Sequence, residues 1–228
     1  RFTPGDHVYG GAFGSYSEYR TVGESGPVAP MPAGLSFESA AALPFGALTA
    51  LHFLRKGGVK RGDKVLIIGA SGCVGAYSTQ LAAAWGAAVT AVCSGRNADF
   101  VRHQGAWEVI DYTREPTLGT GPYDAVLDAV GATSFAASKP IIRRGGVFLN
   151  VVMSTADIGA MLLPFKGGRR LVGGTSETTQ PLLLELNQLV AEGAIRPLVD
   201  RTYPLEQIRD AHAYVDSKRK RGAVVVTV

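Results

Sequence analysis

Apolar and polar positions follow three different regimes along this chain. Near the start they alternate in short runs broken by Gly and Pro. Pro4-Gly5-Asp6 reads as a turn, His7–Tyr9 as a strand, Gly10–Gly14 as a tight loop and Ser15–Val22 as a second strand. Pro27, Pro30 and Pro32 mark an extended segment. Ser36 is placed to cap a helix that opens with Glu38, and its apolar run passes Leu43-Pro44 before Ala47–Leu54 continues helically. The middle of the chain changes character. Val65–Ile68 is wholly apolar and rich in β-branched residues, the pattern of a strand buried on both faces. Gly69, Gly72 and Gly75 follow, then a helix over Ala76–Trp85 and an apolar strand over Ala87–Cys93.

Beyond this unit the alternation of strand and helix continues. The pattern predicts a helix from Asn97 or Ala98 to about Gln104, and strands at Val109–Tyr112 and Tyr123–Val130. A helix near Thr133–Pro140 and a strand at Val147–Val151 follow. A loop holding Met153–Phe165 leads to a strand at Leu171–Gly174 and an amphipathic helix over Gln180–Glu192. Such alternation over some 150 residues predicts an α/β fold with a doubly wound parallel sheet. The tail reads differently: extended over Ile195–Tyr203, helical over Leu205–Ser217, and a strand over Gly222–Val228.

The glycine spacing has a physical reason. A strand, a glycine turn, a helix and a second strand within about 30 residues match a dinucleotide-binding unit. Phosphate oxygens must reach N–H groups at a helix N-terminus, and a Cβ at the closest point would block them, so Gly72 suits that place. Gly75 lets the helix pack closely on the strand. Ala70 stands where the G-x-G-x-x-G pattern has its first glycine, a departure that a turn with negative φ accepts. The second strand ends in Ser94-Gly95-Arg96-Asn97, with no acid before Asp99. A hydroxyl and a guanidinium there suit a 2′-phosphate better than a bare ribose, which favours NADPH over NADH. The alternative is Arg96 as a solvated loop charge and Ser94 as a helix cap.

Composition narrows the class of partner. Of 228 residues 46% are hydrophobic and 18% charged, with a net charge of +4 and a pI near 9.1. The basic residues fall in short runs (Arg143-Arg144, Arg169-Arg170, Lys218–Arg221), which argues against a nucleic-acid surface. No apolar run reaches about 18 residues, so no membrane span is expected. Nor is a leader expected at the start of the chain. Cys73 and Cys93 form no spaced pair and read as small buried residues of a reduced, cytoplasmic protein.

Taken in order, several segments resemble the medium-chain dehydrogenase/reductase superfamily in its zinc-independent quinone oxidoreductase-like branch. They are Gly5-Asp6-x-Val8 with Gly14–Tyr19, Pro44–Ala50, the Gly69–Gly75 turn, Val109–Tyr112, Tyr123–Gly131, Asp200–Leu205 and Lys220–Val225. The resemblance implies a Rossmann dinucleotide-binding domain over residues 44–194 and a GroES-like β domain built from residues 1–43 and 195–228. That front domain is expected to be partial, because in relatives a sizeable region precedes the Gly-Asp-x-Val turn.

By the same resemblance, Thr49 lies beside the nicotinamide, and Gly72, Cys73 and Val74 lie under the pyrophosphate. Ser94, Arg96 and Tyr112 surround the 2′-phosphate, while Asn150 and Val151 line the nicotinamide ribose. Zinc relatives use Cys and His ligands. Here Phe45 holds one ligand position, four residues before Thr49, and His7, His52, His103 and His212 are scattered, so no metal is expected. The implied activity is NADPH-dependent hydride transfer to a quinone or an α,β-unsaturated carbonyl, by a homodimer joined at sheet edges. No residue is assigned as the proton donor. The alternatives are a nucleotide-binding but catalytically silent truncated homologue and a zinc-free alcohol or enoyl-thioester reductase.

Overall fold

A computed structural model describes residues 2–12, 14–114, 118–153 and 168–228. Contacts within the chain divide it into two units, Arg1–Leu48 with Glu177–Val228, and Thr49–Ser176.

The second unit carries the parallel sheet expected from the strand–helix alternation. Its strands are β3 (Lys64–Ile68), β4 (Ala88–Cys93), β5 (Glu108–Asp111), β6 (Tyr123–Asp128), β7 (Ile142–Asn150) and β8 (Arg170–Gly173). They lie in the order β5-β4-β3-β6-β7-β8, all pairs parallel. Val65–Ile68 are all buried, alternate residues pointing to opposite faces, hence the unbroken apolar run. The chain winds from β3 out to β5, then crosses back and winds the other way through β6. This reversal leaves a crevice beyond the carboxyl ends of β3 and β6, where such sheets bind ligands. Leu66, Ile68, Val92, Ile110, Val126 and Phe148 share one core cluster across the strands.

The helix after the glycine turn, α3 (Cys73–Ala84), opens three residues earlier than its apolar pattern suggested. Gly72 serves as its N-cap, so Cys73, Val74 and Gly75 already belong to the first turn. Two shorter helices follow in this unit, α4 (Ala98–His103) and α5 (Phe135–Ser138). Of the expected loop at 153–165, residues 154–165 lie outside the described ones.

In the first unit, β1 (Val8–Gly10) pairs antiparallel with β2 (Val28–Pro30). Helix α1 (Phe37–Ala41) is capped as expected: Ser36 Oγ accepts the Ser39 N–H at 3.2 Å. Pro44 then starts α2 (Pro44–Gly57), within which the division between units falls. By length and mean hydropathy Phe37–Gly57 reaches membrane-span dimensions, contrary to the sequence expectation, yet 67% of that window is buried inside the fold. Its apolar surface is that of a core element.

Strand Ser15–Val22 did not form. Described residues there make turns and bends, with Tyr16 60% and Tyr19 90% exposed, so neither face of the alternation is buried. Helix α6 (Gln180–Ala191) groups with the chain ends rather than with residues 44–194. Polar side chains explain the difference. The Tyr9 hydroxyl lies 2.7 Å from both the Leu183 carbonyl oxygen and Asn187 Oδ1. Gln180 Nε2 donates to the Val28 carbonyl at 2.8 Å, and Asn187 Nδ2 to the Pro30 carbonyl at 2.9 Å. The tail forms β9 (Val199–Pro204) and β10 (Ala223–Thr227), a parallel pair joined through α7 (Ile208–Asp216).

Candidate functional site

At the carboxyl edge of the sheet, the chain leaves β3 through Gly69, whose φ of +76° only glycine adopts cheaply. Ala70 is not among the positive-φ residues, so its methyl is tolerated where the motif has glycine. The other two glycines have different reasons. A Cβ on Gly75 would meet Ala70 Cα at 2.8 Å and lie closer still to the Gly69 carbonyl oxygen, so the helix reaches the turn only because that atom is missing. A Cβ on Gly72 would meet nothing nearer than the Gly69 oxygen at 3.4 Å, an ordinary contact. Packing within the chain therefore does not demand glycine at 72, and the space it leaves is a cradle over the start of α3. That helix opens without a side-chain cap, as a phosphate-binding N-terminus does.

One strand over, Ser94, Gly95 and Arg96 meet Arg102, Asp111, Tyr112, Thr113 and Arg114 around a cleft of about 670 Å³. Three stretches build it: the turn after β4, helix α4 and the turn after β5. Asp111 organises the last of these. Its Oδ1 accepts the Thr113 hydroxyl at 2.7 Å and the Thr113 N–H at 3.0 Å, and Arg114 Nε stands 3.8 Å from Oδ2. The Thr113 bonds, with lesser help from the Gly95 N–H and Arg114, hold the Asp111 carboxyl below its ordinary range despite partial desolvation. The carboxylate lies so close to Gly95 that a side chain there would overlap it. Arg96, Arg102 and Arg114 bring three guanidinium groups to the cleft; Asp111 faces Arg114, and Asp99 Oδ1 lies 3.2 Å from Arg102 Nη1. Tyr112 adds a ring that is 60% exposed.

The two seats are tied together. Asn97, buried at the end of the β4 turn, donates through Nδ2 to Ser71 Oγ of the glycine turn at 3.0 Å.

Among the residues singled out from the sequence, Ser94, Arg96 and Tyr112 thus share one cleft, and Gly72, Cys73 and Val74 start the neighbouring helix. Asn150 is buried at the end of β7, in register with Asp128 and Gly173, and the Val151 N–H donates to the Asp128 carbonyl at 3.0 Å. Both stand at the same sheet edge, across the β3–β6 crevice from the cleft. Thr49 is not among the cleft residues; buried in α2, it places Oγ1 3.0 Å from Ser176 Oγ. Sequence reasoning missed Arg102, Asp111, Thr113, Arg114 and Asn97. The density of charge over residues 96–114 was the available signal.

Zinc finds no fitting donor set among the described residues. No three His, Cys, Asp or Glu side chains converge on a point that could hold a metal ion. Phe45, 76% exposed, offers only carbon. Cys73 and Cys93 are buried free thiols, and burial with the nearby Asp111 charge pushes the Cys93 thiol up to about 11.

Comparison with known proteins gives consistent results. Residues 104–226 match the family model described as zinc-binding dehydrogenase. The mouse protein named NAD(P)H oxidoreductase RTN4IP1, mitochondrial, is 33% identical over the whole chain, and the chain covers 65% of its length. The tomato (Solanum lycopersicum) 2-methylene-furan-3-one reductase is 34% identical over 97% of the chain, which covers 57% of that protein. The quinone oxidoreductase of Coxiella burnetii superposes with a TM-score of 0.81 at 32% identity, over 88% of this chain and 64% of that one. This chain therefore spans a little under two thirds of the length of these relatives. The glycine turn, the six-stranded parallel sheet and these likenesses together make the chain a member of the medium-chain dehydrogenase/reductase superfamily.

Proposed function

We propose that this protein binds NADPH and, with it, reduces a quinone or an α,β-unsaturated carbonyl compound. The observation that carries the reading is the cleft in which Ser94, Arg96, Arg102, Tyr112 and Arg114 surround a space next to the glycine turn. A ribose hydroxyl needs one acceptor; a phosphate dianion needs several donors, and guanidinium groups give it charge-assisted bonds. Asn97 holds this cleft at a fixed offset from the Gly72 cradle, as one nucleotide with a diphosphate and a third phosphate requires.

The roles of the chain's own residues follow. The first turn of α3 would take the diphosphate on its N–H groups, and Arg96 with Ser94 the 2′-phosphate. Tyr112 would cover the purine side. Asn150 and Val151, at the end of β7, would meet the nicotinamide ribose, and Thr49 the ring beyond it. The dihydronicotinamide supplies a hydride when bound. The protein's share is orientation and exclusion of water. The acceptor class draws support from relatives named for a quinone and for a methylene-furanone. With no zinc donor set among the described residues, the reading does not use a metal. The end strand β8 leaves one side of its backbone unpaired within the described sheet, which favours a homodimer joined along that edge.

A thermal-shift titration tests the cofactor assignment, since a ligand raises the midpoint as its concentration exceeds Kd. NADPH should raise it more than NADH at equal concentration. Arg96→Ala should remove one or more charged hydrogen bonds of about 1.5–3 kcal/mol each, and with them at least about tenfold of the preference. Equal shifts for the two nucleotides refute NADPH selectivity. NADPH consumption with 9,10-phenanthrenequinone then tests the acceptor class.

A further inference from the structure

Asp128, at the end of β6, is a fully buried carboxylate that none of the roles above uses. Its Oδ1 accepts the N–H groups of Val130 at 2.9 Å and Gly131 at 2.8 Å, and its Oδ2 accepts that of Thr133 at 2.8 Å. Three backbone donors thus converge on one buried carboxyl group, which ties down Val130, Gly131 and Thr133. That segment runs beside the glycine turn: the Ala129 N–H donates to the Ile68 carbonyl at 3.1 Å. A Cβ on Gly69 would meet Val130 Cγ1 at 2.5 Å and Cγ2 at 3.1 Å, so the valine lies directly against the turn. On its other side, a Cβ on Gly131 would touch Val152 Cγ1 at 3.4 Å. Yet Val130 and Val152 remain 53% and 52% exposed. Two half-exposed valines, set between the Gly72 cradle and the Asn150–Val151 turn, are surface that a bound molecule would cover.

We propose that Asp128 is a positioning residue for the nucleotide: it pins Val130 against the glycine turn, so that Val130 with Val152 forms an apolar sill under the span between the diphosphate and the nicotinamide ribose. This rests on the reading that the sheet edge holds a dinucleotide. Asp128 itself touches no ligand; it acts through the loop.

The experiment compares the full chain with Val130→Ala, Asp128→Asn and Asp128→Ala. Each is titrated with NADPH by calorimetry and by dihydronicotinamide emission, well below the midpoint measured without nucleotide. Val130→Ala should keep that midpoint, because the side chain is half exposed, and should weaken NADPH about fivefold to tenfold, the loss of two covered methyl groups. In Asp128→Asn the amide oxygen still accepts from Val130 and Gly131 while the NH₂ opposes the Thr133 N–H. A loss of about threefold is expected there, and at least about tenfold in Asp128→Ala. A merely structural Asp128 lowers the midpoint and leaves the NADPH Kd unchanged. Wild-type affinity in either Val130→Ala or Asp128→Asn overturns the proposal, and the Val130 arm decides alone if the Asp128 variants do not fold. A wild-type chain that binds neither NADPH nor NADH refutes the proposed function itself, a result distinct from unchanged variants.

Discussion

Replacing Gly75 and Gly72 separately by alanine should split stability from binding. In a helix interior, glycine to alanine ordinarily stabilises by about 1 kcal/mol. At Gly75 the new methyl would meet Ala70 Cα and Gly69 C at 2.8 Å, and the Gly69 carbonyl oxygen closer still. None of these atoms can yield easily, because the N–H groups of Gly69 and Ala70 both donate to the Val92 carbonyl at 3.1 Å, anchoring the turn to β4. Overpacking against a fixed wall costs about 1–3 kcal/mol and can exceed it where the wall is backbone. The clash therefore outweighs the propensity gain, and a net loss of about 1–2 kcal/mol should lower the midpoint by about 2–8 °C.

Gly72 gives the opposite result. Its φ of −76° and ψ of 173° are open to alanine, and the nearest atom to the new methyl is 3.4 Å away. Losing a glycine cap costs up to about 1 kcal/mol, while a stiffer unfolded chain returns about 0.4–1 kcal/mol, so stability should barely move. The methyl would instead occupy the cradle, and NADPH should bind at least about tenfold more weakly, a loss of some 1.4 kcal/mol. Thermal denaturation without nucleotide and calorimetric titration with NADPH read the two effects. Wild-type stability in Gly75→Ala, or wild-type NADPH affinity in Gly72→Ala, refutes the division of labour between the glycines.

Two further outcomes follow from polar contacts away from the cradle. Tyr9→Phe removes the hydroxyl whose one proton is shared between the Leu183 carbonyl and Asn187 Oδ1, a loss of about 0.5–1.5 kcal/mol. An unchanged denaturation midpoint would contradict it. Asp124 is subject to desolvation, which raises its pKa, but the Lys64 N–H and the Arg143 guanidinium outweigh this and hold it below the usual 3.8. Folding therefore favours its ionised form, and that contribution is complete above 3.8 and fades as pH falls through the lower folded value. Asp124→Asn should be less stable than wild type at neutral pH, with the gap closing in acid; urea midpoints across this range check it, and a gap that widens in acid refutes it.

What could be read from the residues was whatever a single short stretch determines. The β3–α3–β4 unit was legible because its burial is two-sided and because Gly69 and Gly75 are locally required. The Ser36 cap was legible for the same reason, since donor and acceptor lie three residues apart. Strand Ser15–Val22 misled because alternation predicts a strand only when one face has something to cover it, and here both faces are exposed. The placement of α6 depended on Tyr9 and Asn187, 178 positions apart, a pairing that no local pattern encodes. The cleft was half legible. Ser94 and Arg96 follow a strand at a recognisable offset, whereas Arg102, Thr113 and Arg114 join them only because β4 and β5 are neighbours and Asp111 folds the second turn inward.

Parallel strands have a consequence for how such a protein can change. Four steps of about 3.3 Å set Lys64 and Ile68, the two ends of β3, about 13 Å apart. At the amino end, the Lys64 N–H and the Arg143 side chain both meet Asp124; the turns proposed to hold the nucleotide lie at the other end. Substitutions separated by more than about 7–10 Å and sharing no partner usually add. Selection can therefore rework selectivity on one margin and robustness on the other as two independent ledgers, with gains on each simply summing.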